Sequence, residues 1–325
     1  MKILVTGGAG FLGSALTRRL CENGHEVRVL DDASRGHPAR LRDVPCELVI
    51  GDIRDPEAVS EAVYGCDTIV HAACRQGTRQ FYEQPRQVLD VALRGMLNVL
   101  SACEEHAVRD LMFISSSETY QVASVVPTPE TVPLTVPAVE NPRYSYGGGK
   151  IASEVMGFAW ARTGTLDRFI AVRPHNVVGP DMGNGHVIPE FCHRMNRLVR
   201  EYPEGVIPFD IQGTGQETRS FCAIEDCTEQ LCLLLGKVPE GRHVYNAGTM
   251  DERTIADVAH RVAACYGRQI RIIPGVLQEG SPPRRLPDTS KIQALGYEPK
   301  VSFEECLART VEWYQAAAKP GGMTA

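Results

Sequence analysis

The chain has 325 residues, 43% of them apolar, enough for one two-part α/β enzyme or two ordinary domains with full cores. A formal charge of -6 argues against a nucleic-acid surface, because phosphate binding normally needs a basic face, and no apolar run approaches a membrane span. The eleven cysteines, from Cys21, Cys46, Cys66 and Cys74 onward, are scattered singly with no secretory signal ahead of them, which predicts reduced thiols in a cytoplasmic protein and no metal site.

Lys2 to Val5 is a short β-rich run, and a glycine turn leads from it into a helix whose Leu12, Ala15, Leu16 and Leu20 keep helical spacing up to Gly24. Val27 to Leu30 reads as a second strand. Further strands are expected around Leu48 to Ile50, Thr68 to His71, Leu111 to Ser115 and Phe169 to Val172, separated by helix-length segments. Two of those helices are well marked, near Val88 to Glu105 and Tyr146 to Arg162. Short apolar strands divided by helices imply a Rossmann-type, doubly wound parallel sheet covered on both faces. Val125 to Pro142, rich in Pro, Thr and Val, suits an ordered loop beside a cleft. Beyond Pro174 the alternation weakens. The reading places a cofactor domain at 1–174 and a smaller C-terminal α/β lobe at 175–325 that binds substrate. Arg219 to Leu235 and His243 to Asn246 are expected to be a helix and a strand returning to the first sheet. The tail from Lys319 onward is expected to fray.

Gly7, Gly10 and Gly13 form G-x-x-G-x-x-G between a strand and a helix, where missing side chains let backbone amides and the helix N-terminus approach a pyrophosphate. Phe11 and Leu12 open that helix, and Ala72 follows the fourth strand beside it. Asp31, at the end of the second strand, is placed to accept hydrogen bonds from both adenosine ribose hydroxyls and to repel a 2′-phosphate, which favours NAD over NADP. Arg28 and Arg35 lie near enough in sequence to leave NADP open. Asp52 and Ile53 follow the third strand and can cap the adenine edge, although Asp52 could equally start the helix at Pro56.

Tyr146 and Lys150 are four apart on an expected helix, so they share one face with the ammonium near the phenol. About 0.2 such Y-x-x-x-K matches would arise by chance at this composition, so placement decides: the pair follows a strand ending in Ser115, Ser116, Ser117 and Glu118, where a cleft should open. Lys150 and a positive nicotinamide ring are expected to lower the phenol toward neutrality, so that Tyr146 can remove a hydroxyl proton. Only six of the 34 basic residues are lysines; Arg therefore carries the cationic chemistry, which suits bidentate anion contacts or reflects a GC-rich source.

T-G-G-A-G-F-L-G, S-S-S-E-T-Y, Y-G-G-G-K and R-P-H-N-V-V-G-P, in this order, resemble an extended short-chain dehydrogenase/reductase of the nucleotide-sugar epimerase/dehydratase family over nearly the whole chain. The resemblance implies that bound NAD oxidises the sugar, usually at C4, and later returns the same hydride. It gives Ser116 the role of bonding the reacting hydroxyl, Tyr146 that of base and Lys150 that of holding the nicotinamide ribose. Ser117, Asn176, Arg219 and Arg285 fall at positions on the substrate side, the last three toward the nucleotide diphosphate, although Arg219 could be a surface or helix-start residue. A homodimer through the two long helices is implied too, unless their apolar faces are internal core.

This chain departs from the family in two places. Ser117 stands where 4,6-dehydratases typically carry the Asp that protonates a leaving hydroxyl, which disfavours simple dehydration. Ala92 stands where many relatives place an Asn near the cofactor. Glu118 is more than a plain 4-epimerase needs, and a carboxylate there could move a proton at C5 or C3 once C4 is a ketone. H-V-I-P-E-F-C and Q-E-T-R-S-F resemble GDP-mannose 3,5-epimerases, where Glu118 takes the place of a catalytic Cys and His186 approximately that of a Lys. Glu118 could instead only orient the serines, and His186 could be an exposed loop residue. The sequence thus points to an NAD-dependent epimerase of a nucleoside-diphosphate sugar. The runner-up is a dehydratase or decarboxylase using the same oxidation, and the non-enzyme alternative is an NAD-sensing scaffold.

Overall fold

The computed structural model describes residues 1–277 and 280–318; the expectation for the tail from Lys319 lies outside them. Strand and helix alternate from the start: β1 (Lys2–Thr6), α1 (Phe11–Glu22), β2 (Glu26–Asp31), β3 (Glu47–Ile50), α2 (Pro56–Val63) and β4 (Thr68–His71). A short α3 (Thr78–Glu83) then precedes the long α4 (Pro85–Glu105), β5 (Asp110–Ile114), α5 (Tyr144–Arg162) and β6 (Arg168–Pro174). Residues 121–143 form no helix or strand, as the Pro-rich composition predicts. This segment is tied to the far end of the chain, where Thr128 donates to Leu286 O and accepts from Asp288 N.

The second half begins with β7 (Val177–Val178), α6 (Val187–Glu201), β8 (Ile207–Ile211), β9 (Thr218–Ser220) and β10 (Cys222–Ala223). It continues through α7 (Ile224–Lys237), β11 (Gly241–Ala247), β12 (Glu252–Thr254), α8 (Ile255–Cys265) and β13 (Ile270–Pro274). It ends with β14 (Arg284–Arg285), α9 (Ser290–Gln293) and α10 (Phe303–Ala317). The helix expected from Arg219 starts only at Ile224. Thr218 to Ser220 instead pairs antiparallel with β12, and this run of β-branched and hydroxyl side chains holds a strand better than a helix interior.

Seven parallel strands form the main sheet in the order β11-β6-β5-β4-β1-β2-β3. Alternate residues of β1 enter different cores, which is why parallel strands read as continuous apolar runs. Ile3 and Val5 join Leu16, Leu20, Leu231 and Leu234 from α1 and α7 on one face. Leu4 packs with Ile69, Met96, Phe113 and Phe169 on the other, under α2, α4 and α5. A third core, with Phe191, Phe209, Val258 and Tyr314, holds the elements after β7, except that α7, β11 and α9 go back to the sheet. Strand order reverses between β1 and β4, so the crevice for a ligand opens at their carboxyl ends. No helix among the described residues is long and apolar enough to cross a membrane.

Candidate active site

One cleft of about 1040 Å³ runs along the carboxyl ends of the strands, and both halves of the expected chemistry face it. Its floor is the turn from β1 into α1. Glycine is required at position 13, because a Cβ there would meet Gly7 O and lie 2.8 Å from Gly8 Cα. Packed this tightly, the turn exposes the first amides of α1, at Phe11, Leu12 and Gly13, which have no partners within the helix and suit a diphosphate. The floor therefore fits a dinucleotide cofactor.

Asp31 ends β2 with its carboxylate accepting from the Ala9 and Ala33 amides, each at 2.9 Å. Burial pushes its carboxyl above the ordinary value, against the pull of those amides. Arg28 does not turn this corner toward NADP, since it is bound to Glu47 and to the carbonyls of Ala62 and Tyr64 on the outer side of the sheet. Arg35 leads elsewhere as well: its guanidinium lies beside Gly77 and in the field of Cys74 and Tyr146, at the catalytic end of the cleft. Asp52 and Ile53 line the cleft, but the Asp52 carboxylate is gripped by Arg54 at 2.6 Å and held below its usual range. Ile53 is buried and its carbonyl accepts from Asn98. Ala72 is set beside β1 by its amide bond to Thr6 O.

The catalytic end is built from β5 and α5. Ser116 caps the short turn Ser117–Thr119, its Oγ accepting from the Glu118 amide at 3.1 Å. Gly147 lets α5 approach this turn, for a Cβ there would come within 2.6 Å of Gln121 Nε2 and 3.0 Å of Glu118 O. Tyr146 is buried one turn before Lys150, whose Nζ donates to Ile114 O at 2.6 Å. Burial raises the phenol well above its ordinary value; the fields of Cys74 and Glu118 add to this, and the Ser116 hydroxyl opposes it. The Lys150 ammonium is itself pulled down by burial.

Glu118 meets the C-terminal half of the chain. Arg285 donates from Nη1 to its Oε1 at 2.6 Å, and β14 brings this arginine to the cleft by pairing with β9. Burial opposes ionisation of Glu118, but Arg285, Arg143 and Arg219 outweigh it and hold the carboxyl below its usual range. Arg219 bonds Thr218 O and Ser281 Oγ, and burial with Arg285 nearby lowers its guanidinium to about 10. Asn176 donates to Ser220 O, and Ser117 is buried under the turn. His186 caps α6, half-buried on the lobe side of the same cleft. Burial and Arg35 lower its pKa, which keeps the ring neutral, while Glu118 pulls the other way.

Sequence reasoning did not assign Cys74, Phe81 or Arg143 to the site and took Arg35 only as a possible NADP contact; all four line the cleft. Arg143 carried a signal, standing three residues before Tyr146 at the start of the same helix. The others reach the site only because loops after β2 and β4 fold over it.

A family model described as the NAD dependent epimerase/dehydratase family matches residues 3–248. A UDP-glucose 4-epimerase of Lactobacillus helveticus is 28% identical over 98% of both chains. A UDP-glucuronic acid decarboxylase 1 of Xenopus tropicalis is 30% identical over 97% of this chain and 72% of its own. The crystal structure of a Thermotoga maritima UDP-glucose 4-epimerase with UDP-glucose superposes with a TM-score of 0.85, at 28% identity over 97% of this chain and 99% of that one. These similarities, together with the glycine turn, Asp31 and the Ser116, Tyr146 and Lys150 cluster, make the chain a member of the NAD-dependent epimerase/dehydratase family, with NAD as its cofactor.

Proposed function

We propose that the chain is an NAD-dependent epimerase of a nucleoside-diphosphate sugar, acting through transient oxidation at C4. Glu118 carries this reading: it is a carboxylate kept ionised by Arg285, close to Ser116 and Tyr146. An ionised carboxylate accepts a proton from carbon, whereas expelling a hydroxyl as water requires a protonated acid. NAD, when bound, supplies a hydride acceptor beside C4 and returns the hydride at the end. Ser116 would hold the C4 hydroxyl, Tyr146 would take its proton, and Lys150 would bind the cofactor's ribose. The C4 ketone would then acidify the neighbouring C-H bonds, from which Glu118 removes a proton at C3 or C5. The neutral His186 on the lobe side is the second group suited to handling that proton. Asn176, Arg219 and Arg285 would face the diphosphate, and Asp52, Ile53 and Ala72 the rest of the cofactor.

Decarboxylation is the second reading. Arg143 and Arg219 converge with Arg285 on Glu118, and Arg143 Nε and Arg285 Nη2 are buried without partners among the described residues, a setting that would also receive a sugar carboxylate. One experiment separates the outcomes: UDP-, GDP-, CDP- and dTDP-sugars and uronates incubated with the protein in deuterated water, followed by mass spectrometry and NMR. The expected product is an epimer with deuterium at C3 or C5. Release of carbon dioxide or water would replace epimerisation, inversion at C4 without exchange would make Glu118 a bystander, and no turnover with NAD bound would favour a sensor.

A homodimer through α4 and α5 is part of the proposal. Leu89, Leu93 and Leu97, four apart on α4, are 36%, 36% and 44% exposed, and Val155 on α5 is 63% exposed. An apolar stripe of this length suits burial against a second copy. Sedimentation velocity reads the assembly directly, and a monomer at micromolar concentration would remove it.

A further inference from the structure

Tyr146 has one ring face against an aromatic neighbour that the reaction itself does not require. Phe81 stacks on it with centroids 5.0 Å apart and planes 14° apart. Both rings are nearly buried, and with Val88 and Cys74 they form a small apolar cluster separate from the main cores. Phe81 belongs to α3, a helix of six residues that begins after Gly77, whose φ of +124° turns the chain back over the cleft. The same ring lines the cleft beside Cys74. It therefore stands between the phenol and the solvent on that side.

We propose that Phe81 is a positioning residue, which fixes the plane of the Tyr146 ring toward Ser116 and keeps water off one of its faces. The proposal rests on Tyr146 being the base, but not on which sugar is used. Offset or near-parallel aromatic pairs favour a defined mutual orientation beyond simple burial. A side chain with only two torsions, χ1 and χ2, is then held at both. The groups with charge or protons that face the phenol are Lys150 on its own helix, Glu118 and Ser116 from the turn after β5, Cys74 after β4 and Arg35 after β2. Phe81 adds no charge, so it acts through desolvation and orientation alone.

The test needs no sugar. Tyrosinate absorbance is titrated in the NAD-loaded protein, and the component that Tyr146→Phe removes is followed in Phe81→Ala and Phe81→Leu. Water reaching the uncovered ring favours the phenolate, so in Phe81→Ala the midpoint is expected to fall by about one pH unit, a tenfold gain in acidity. Phe81→Leu, which keeps part of the cover, is expected to fall between it and the wild type. NAD content and circular dichroism should stay unchanged in both. An unmoved midpoint, or an equal shift in both variants, overturns the role of Phe81 while leaving Tyr146 as base. If the component that Tyr146→Phe removes is not moved to lower pH by loading the protein with NAD, the base assignment itself fails and the proposal with it. Loss of NAD or of folded signal in both variants makes Phe81 a plain structural residue and also overturns it.

Discussion

The two halves of the cleft are made of different material. The cofactor half is mostly backbone: the amides of a glycine turn and the ends of β1, β2 and β4, placed by the sheet itself. The half proposed to take the substrate is mostly long side chains, with Glu118 from the turn after β5, Arg143 from the start of α5, and Arg219, Arg285 and His186 from beyond residue 175. Backbone sites tolerate little variation and are fixed by the fold. Sites built from side chains can change reaction while the fold stays, in keeping with relatives that carry epimerase and decarboxylase names and are similar in sequence over nearly all of this chain.

This contrast can be tested at its hinge, where the halves share Tyr146. Tyr146→Phe is expected to lower kcat about 10²- to 10⁴-fold while NAD stays bound, as measured by turnover and by the cofactor released on denaturation. Retained turnover would remove the proposed base. The next effect belongs to the substrate half. Arg285→Met leaves Glu118 in a mostly buried place without its main partner, and an expected loss of about 2 kcal/mol should appear in urea unfolding. Its pH dependence has a defined sign. The folded carboxyl lies below its ordinary value of 4.5, so the pair stabilises the protein above that pH and the contribution disappears as pH falls through the folded pKa. The gap between wild type and Arg285→Met should thus be constant near neutrality and close on acidification. A gap that widens in acid would contradict the ion pair. The smallest effect is expected from Asp31→Asn, which keeps the backbone cradle and weakens only the ribose contact. NAD affinity should fall about tenfold, or roughly 1.4 kcal/mol, with NADP less strongly rejected, as calorimetric titration would show. A total loss of binding would mean that the amides contribute less than the contrast requires.

Legibility follows the same division. Gly7, Gly10, Gly13 and Asp31 lie within one strand-turn-helix-strand unit, so local spacing alone places them together. The first six strands and both long helices could be read from periodicity for the same reason, and so could the strand near His243 that returns to the sheet. Arg219 could not: its strand exists because Glu252–Thr254, some thirty residues on, pairs with it. The Glu118 and Arg285 contact spans 167 positions, and nothing near either residue announces it. Tyr146 was readable as a motif member, but its environment was not. The shield of Phe81 and the field of Cys74 come from a loop whose course depends on the packing of α3 against α4 and α5.

The last strand of the main sheet also bears on how the molecule is made. β6 ends at residue 174, and its outer neighbour β11 begins only at residue 241. During synthesis from the N-terminus, β6 therefore waits as a bare edge while β7 to α7 emerge. At ordinary translation rates of about 5–20 residues per second, that interval lasts several seconds. An apolar edge strand left open so long is a template for wrong pairing. The sheet that holds NAD is thus closed late, by a strand that arrives only after β7 to α7 exist.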